Sequence, residues 1–201
     1  MKAFLKTVSY LFHPLFIPIA GTIFYFMITP KYSSLELQSG TIFPIFILTI
    51  IIPIISFIIL KNIGLASSIF MPTIRERKYP LYIHITLLLM VLYKVIPNNY
   101  TIELYYFFLG LLSATMASLL LLFLRFKSSM HLTGMGSLYM FLICLSIHFE
   151  LNIILTLSSF TLLIGLVATS RLYFKAHNKA ELLISFIIGM LSQLLTIKFW
   201  L

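Results

Sequence analysis

The 201-residue chain is 61% hydrophobic and only 9% charged, with a mean hydropathy of +1.08. That balance excludes a soluble domain, which could not hide so much apolar surface, and it predicts helices that cross hydrocarbon. A formal charge of +9 without any basic soluble segment argues against nucleic acid as a partner and leaves anionic membrane lipids, or membrane topology alone, as its meaning.

In chain order, apolar runs separated by polar punctuation predict an all-α, polytopic bundle of six or seven spans in one transmembrane domain, residues 1–201. The first run, 8–29, follows MKAFLK, which has the charges of a signal peptide. The run is longer than a cleavable core and lacks a small-x-small site before Pro30, so a retained span is expected. A second run covers 41–60. After RERKYP (75–80) comes the third and shortest, 80–96, which carries His84, Tyr93 and Lys94 and leaves the count at six or seven. The fourth is 102–124, and SSMHLTGMG (128–136) opens the fifth, 131–148. The sixth is 151–169, and SRLYFKAHNKAE (170–181) leads into the seventh, 180–200.

The single cysteine, Cys144, lies within LYMFLICLSI and reads as packing. Aspartate is absent, and Glu36, Glu76, Glu103, Glu150 and Glu181 are scattered, so neither a carboxylate cage for a hard cation nor a cofactor site is expected. His13, His84 and His148 interrupt apolar runs, where a histidine is either functional or hydrogen-bonded packing; His84, one turn beyond Pro80, would lie on the side of the polar clusters.

Eleven of the fourteen Lys and Arg fall on the side of the N-terminus, and Lys31, Lys94 and Lys198 fall opposite. The positive-inside rule places the richer side in the cytoplasm. Parity needs no such rule: two spans separate RERKYP from SSMHLTGMG, and two more separate that segment from SRLYFKAHNKAE. An even number of crossings returns to the same face, so all three polar clusters are expected at one interface.

Pooled there, Arg75, Arg77, Lys78, Ser128, Ser129, His131, Arg171, His177 and Glu181 make an anion site with two histidines. Guanidinium groups suit phosphate oxygens and repel one another unless an anion lies between them. Ser128 or Ser129 is a candidate helix N-cap, next to backbone N–H groups that also attract phosphate. His177 and Glu181 are four residues apart, so on a helix the carboxylate orients the ring and leaves its other nitrogen nucleophilic. His131 is then available as the acid for a leaving group, which completes a metal-free phosphoryl transfer.

These residues resemble the motifs of the type 2 phosphatidic acid phosphatase superfamily, membrane lipid phosphatases related in fold to vanadium haloperoxidases. Its third motif, Ser-Arg, five residues, His, three residues, Asp, is met by Ser170-Arg171, LYFKA, His177, NKA and Glu181, with Glu in place of Asp. Its second, Pro-Ser-Gly-His, is met in part by Ser128-Ser129-Met130-His131. Of its first, Lys, six residues, Arg-Pro, only Pro80 is in place: position 79 is Tyr, position 72 is Pro, and Arg75 and Arg77 are substitutes for the arginine. The resemblance covers about residues 75–190. It implies a nucleophile at His177, an orienter at Glu181, an acid at His131, and phosphate ligands at Arg171, Arg77, Arg75 and Ser129, with no metal. It further implies a lipid phosphate monoester or diphosphate substrate and a bacterial inner (cytoplasmic) membrane. A non-catalytic lipid-binding scaffold or transporter that keeps the fold is the alternative.

Overall fold

A computed structural model describes residues 1–68, 71, 73–96 and 100–201. Pro72, the departure from the first motif noted above, lies outside the described residues. Helices account for the structure, with no strand among the described residues. They are α1 (Lys2–Leu11), α2 (Ile17–Ile28), α3 (Leu35–Phe46), α4 (Ile52–Asn62), α5 (Ile74–Met90), α6 (Ile102–Phe123), α7 (Met130–His148), α8 (Ile154–Tyr173) and α9 (Lys179–Ile197).

Several of these join end to end. A 3₁₀ turn, Pro14–Phe16, links α1 to α2 in a first rod, Lys2–Ile28, and a π turn, Ile47–Ile51, links α3 to α4 in a second, Leu35–Asn62. Prolines explain both irregularities. Pro14 has no N–H to give and drives His13 to an extended conformation, whereas Pro44 and Pro53 flank the π turn. Among the described residues, six rods are long and apolar enough to span a membrane. The seventh, α5 with the π turn Val91–Val95, differs because Arg75, Glu76, Arg77 and Lys78 fill its first turns. The helices also extend past the predicted edges: the first begins at Lys2 rather than residue 8, and α8 runs to Tyr173 rather than 169.

The closest packing is between α7 and α9, which run parallel. A Cβ at Gly189 would stand 2.1 Å from the Thr133 carbonyl oxygen, and one at Gly136 would stand 2.5 Å from that of Phe186. Only glycine permits this backbone approach, and Ser137 Oγ bridges it by donating to the Gly189 carbonyl at 3.2 Å. The consequence is positional: the N-termini of α7 and α9 lie side by side, which brings His131 and His177 to one cavity. Beside this pair, α6 packs on α9, where Gln193 Nε2 donates to the Phe107 carbonyl at 3.1 Å. The core follows from fully buried Phe107, Phe108 and Phe141, the first and last stacked at 4.4 Å.

Helix ends at the site are set without the glycine that such positions favour. Lys175, at φ 50, occupies the left-handed position that closes α8, with Lys175 N bonded to the Leu172 carbonyl and Ala176 N to that of Arg171. Arg125 closes α6 in the same way. At the opposite end of the bundle, buried Glu103 accepts from Tyr25 Oη at 3.0 Å and pairs with Lys31 and, at 3.6 Å, with His148, which packs edge-on to Trp200. His148 therefore belongs to packing far from the polar clusters.

Candidate functional site

A cavity of about 480 Å³ lies where the three polar clusters meet, and Arg77, Ser128, His131, Arg171 and His177 all line it. The parity expectation thus holds. Most of the rest of the wall is apolar, with Phe16, Ile54, Phe57, Leu60 and Leu81 contributed by the first rod, α4 and α5.

His177 sits in the five-residue turn between α8 and α9. The closing turn at Lys175 fixes one end of that turn, and a capping box fixes the other: Asn178 Oδ1 accepts from Glu181 N at 2.8 Å, and Glu181 Oε2 accepts from Asn178 N at 3.1 Å. The same Oε2 accepts from His177 Nδ1 at 2.9 Å. Glu181 is therefore both a helix cap and a histidine partner, two readings that the sequence presented as alternatives. With Nδ1 donating, Nε2 of the neutral ring keeps its lone pair. Burial, then the positive charge of Arg77, holds His177 down to about 4 from its ordinary 6.5, and Glu181 offsets only part of this. The ring is thus neutral at neutral pH, the form a nucleophile requires.

Arg77 projects into the cavity from α5. Its Nε donates to the Met71 carbonyl at 2.9 Å and its Nη1 to the Ser128 carbonyl at 3.0 Å, so it ties two loops together. A guanidinium has five N–H donors, and these bonds leave capacity for an anion. Arg171, in the last turn of α8, is 4% exposed, and its Nη1 donates to Ser9 Oγ at 3.3 Å. His131 Nε2 bonds to the Ser9 carbonyl at 3.1 Å, and the His131 ring meets His13 edge-on at 5.4 Å.

Two expected ligands are placed otherwise. Arg75 is exposed and does not line the cavity, because two residues along a helix turn it about 200° away from Arg77. Ser129 is the N-cap of α7, but its side chain makes no capping bond. Its N–H donates to Ser185 Oγ at 2.7 Å, and its fully buried hydroxyl, without a hydrogen-bond partner among the described residues, lies at the α7–α9 seam rather than in the cavity wall.

Other residues belong to the site, and of these only His84 was expected on its side. Ser9 carried no signal beyond being a lone serine in an apolar run four residues before His13-Pro14. Lys127 holds the His177 turn by donating from Nζ to the Ala176 carbonyl at 3.2 Å. Burial, then Arg77, lowers its ammonium below the usual range. His13 and His84 both line the cavity; His13 Nδ1 also caps the 3₁₀ turn by accepting from Leu15 N at 3.3 Å. Among the described residues, no three His, Cys, Asp or Glu side chains gather as metal ligands.

Fold and site together define a polytopic, all-α membrane protein whose bundle holds a cavity walled by arginines and histidines together with apolar groups. Comparison with protein-family models, with curated proteins and with solved structures finds no match to this chain.

Proposed function

We propose that this chain is a membrane phosphatase that hydrolyses a lipid phosphate monoester or diphosphate through a phospho-histidine, as the motif resemblance implies. The observation that carries the reading is the His177–Glu181 pair at 2.9 Å, in a cavity shared with Arg77, Arg171 and His131. His177 Nε2 attacks phosphorus, His131 protonates the departing oxygen, and water then cleaves the N–P bond. Arg77 and Arg171 stabilise the charge on the phosphoryl oxygens. The apolar wall suits the first part of a hydrocarbon chain, which supports a lipid substrate over a soluble one.

The test is phosphate release by purified protein from vesicles carrying a panel of lipid phosphates, in EDTA, beside His177→Ala. Release by wild type that falls at least about a thousandfold in the variant is expected for loss of a nucleophile. Equal activity, or none in either on any substrate, overturns the mechanism. A second reading, a non-catalytic lipid-binding scaffold or transporter, is favoured by the two main-chain bonds of Arg77, which suit a structural staple. It predicts phospholipid binding without release, unchanged by His177→Ala.

The membrane we assign is a bacterial inner membrane. The charge bias places the cavity at its cytoplasmic face, whereas bacterial members of the resembling family commonly face outward. A cysteine introduced at Asn178, after removal of Cys144, reports the face through labelling of intact cells by an impermeant reagent.

A further inference from the structure

The break in the first rod releases a main-chain acceptor at the cavity. In an unbroken helix the Ser9 carbonyl would accept from His13 N–H. Ahead of Pro14, His13 is extended at φ −66 and ψ 142, and its N–H turns to the Tyr10 carbonyl at 3.3 Å. The Ser9 carbonyl accepts instead from His131 Nε2 at 3.1 Å. Because a carbonyl can only accept, Nε2 carries a hydrogen and Nδ1 is the nitrogen left for chemistry.

The Ser9 hydroxyl has its own geometry. Ser170 Oγ gives its hydrogen to the Leu5 carbonyl at 2.8 Å, so Ser9 is the donor in the 2.7 Å Ser9–Ser170 bond. Its lone pairs then face Arg171 Nη1 at 3.3 Å. One residue, 2% exposed, holds a histidine through its main chain and an arginine through its side chain.

We propose that Ser9 is a positioning residue of the site, its carbonyl fixing His131 as the Nε2–H tautomer and its hydroxyl holding Arg171 for the anion. The catalytic meaning rests on the phosphatase reading. In that reaction His131, neutral before substrate binds, takes the proton of the substrate's phosphate monoanion at Nδ1 and passes it to the leaving oxygen as the P–O bond breaks and the bond from His177 Nε2 to phosphorus forms. Nε2–H stays on the Ser9 carbonyl throughout. The neutral ring then takes a proton at Nδ1 from the water that cleaves the N–P bond and yields it to the departing phosphate, which restores both histidines. The N-terminal rod is in this way a working part of a site whose motif residues all lie beyond residue 70.

The experiment is ¹⁵N-histidine NMR of the full chain in detergent at neutral pH, with the His131 signal assigned through its loss in His131→Gln. The Nε2–H tautomer is expected. Replacing the Ser9–Tyr10 amide by an ester weakens the acceptor and should convert His131 to a mixture of tautomers. An Nδ1–H ring in wild type, or a spectrum indifferent to the ester, overturns the carbonyl's role. For the hydroxyl, Ser9→Ala should weaken binding of inorganic phosphate about tenfold, as loss of a bond to a charged group does, while Ser9→Thr binds as wild type. Equal binding in Ser9→Ala and wild type overturns this half. None of these readouts needs turnover, so they separate from failure of the phosphatase reading, which shows as wild type releasing no phosphate.

Discussion

Replacing Glu181 by Gln removes a charge while leaving an acceptor where the structure needs one. Oε2 takes two N–H bonds, from His177 Nδ1 at 2.9 Å and Asn178 N at 3.1 Å, and the amide oxygen of Gln can take both. The helix cap should therefore survive. What changes is the bond to His177, which turns from charge-assisted to neutral as the ring gains positive charge on attacking phosphorus. Charged hydrogen bonds contribute about 1.5–3 kcal/mol and neutral ones about 0.5–1.5, so the transition state loses roughly 1–1.5 kcal/mol. That is about a tenfold fall in kcat with KM nearly unchanged. Glu181→Ala loses the cap as well, which adds about 1 kcal/mol of destabilisation. The assay is steady-state phosphate release from lipid phosphate vesicles, with Tm in detergent measured alongside. A Gln variant with wild-type kcat, or one whose KM rises while kcat holds, would refute the assignment of Glu181 as the orienter of His177.

Because His177 titrates at about 4 in the fold and near 6.5 when unfolded, the unfolded chain binds the extra proton between those values. Its stabilising contribution is complete above pH 6.5 and lost as pH falls towards 4, so Tm should drop more steeply over that window in wild type than in His177→Asn. Arg77→Lys, which cannot reproduce the forked donation to two carbonyls and an anion, should lower kcat/KM about a hundredfold, whereas Arg75→Ala at the exposed neighbouring position should stay within about twofold. Parallel kinetics on both variants check this, and equal losses would place the first cluster differently. Gly189→Ala sets a Cβ against main-chain atoms of α7 and should destabilise by several kcal/mol (~3), while Gly165→Ala, with nothing within 4 Å, should be neutral in thermal unfolding.

Much of the fold was legible because its cause is local. Long apolar runs must be helices in a bilayer, where every backbone polar group needs an internal partner, and the crossings between RERKYP, SSMHLTGMG and SRLYFKAHNKAE set which clusters share an end. The His177–Glu181 pair was legible in its partners but not in its cause: His177 stands in the turn just before the Asn178 cap, and the capping box, not a shared helix face, brings the carboxylate to the ring. The helix ends were not legible, because Lys175 and Arg125 hold left-handed positions that usually belong to glycine and carry no sign of it.

The amino-acid sequence by itself determined an all-α membrane bundle, the convergence of its polar clusters and the partner of one histidine. Only the tertiary structure decided which of those side chains share a cavity. The choice of Arg77 over Arg75 depends on the rotation of α5, and the withdrawal of Ser129 depends on the α7–α9 seam. The role of Ser9 depends on a proline break that frees a carbonyl beside a histidine 122 positions away. Such contacts join residues remote in the chain, and their geometry follows from how helices pack rather than from any spacing along one of them.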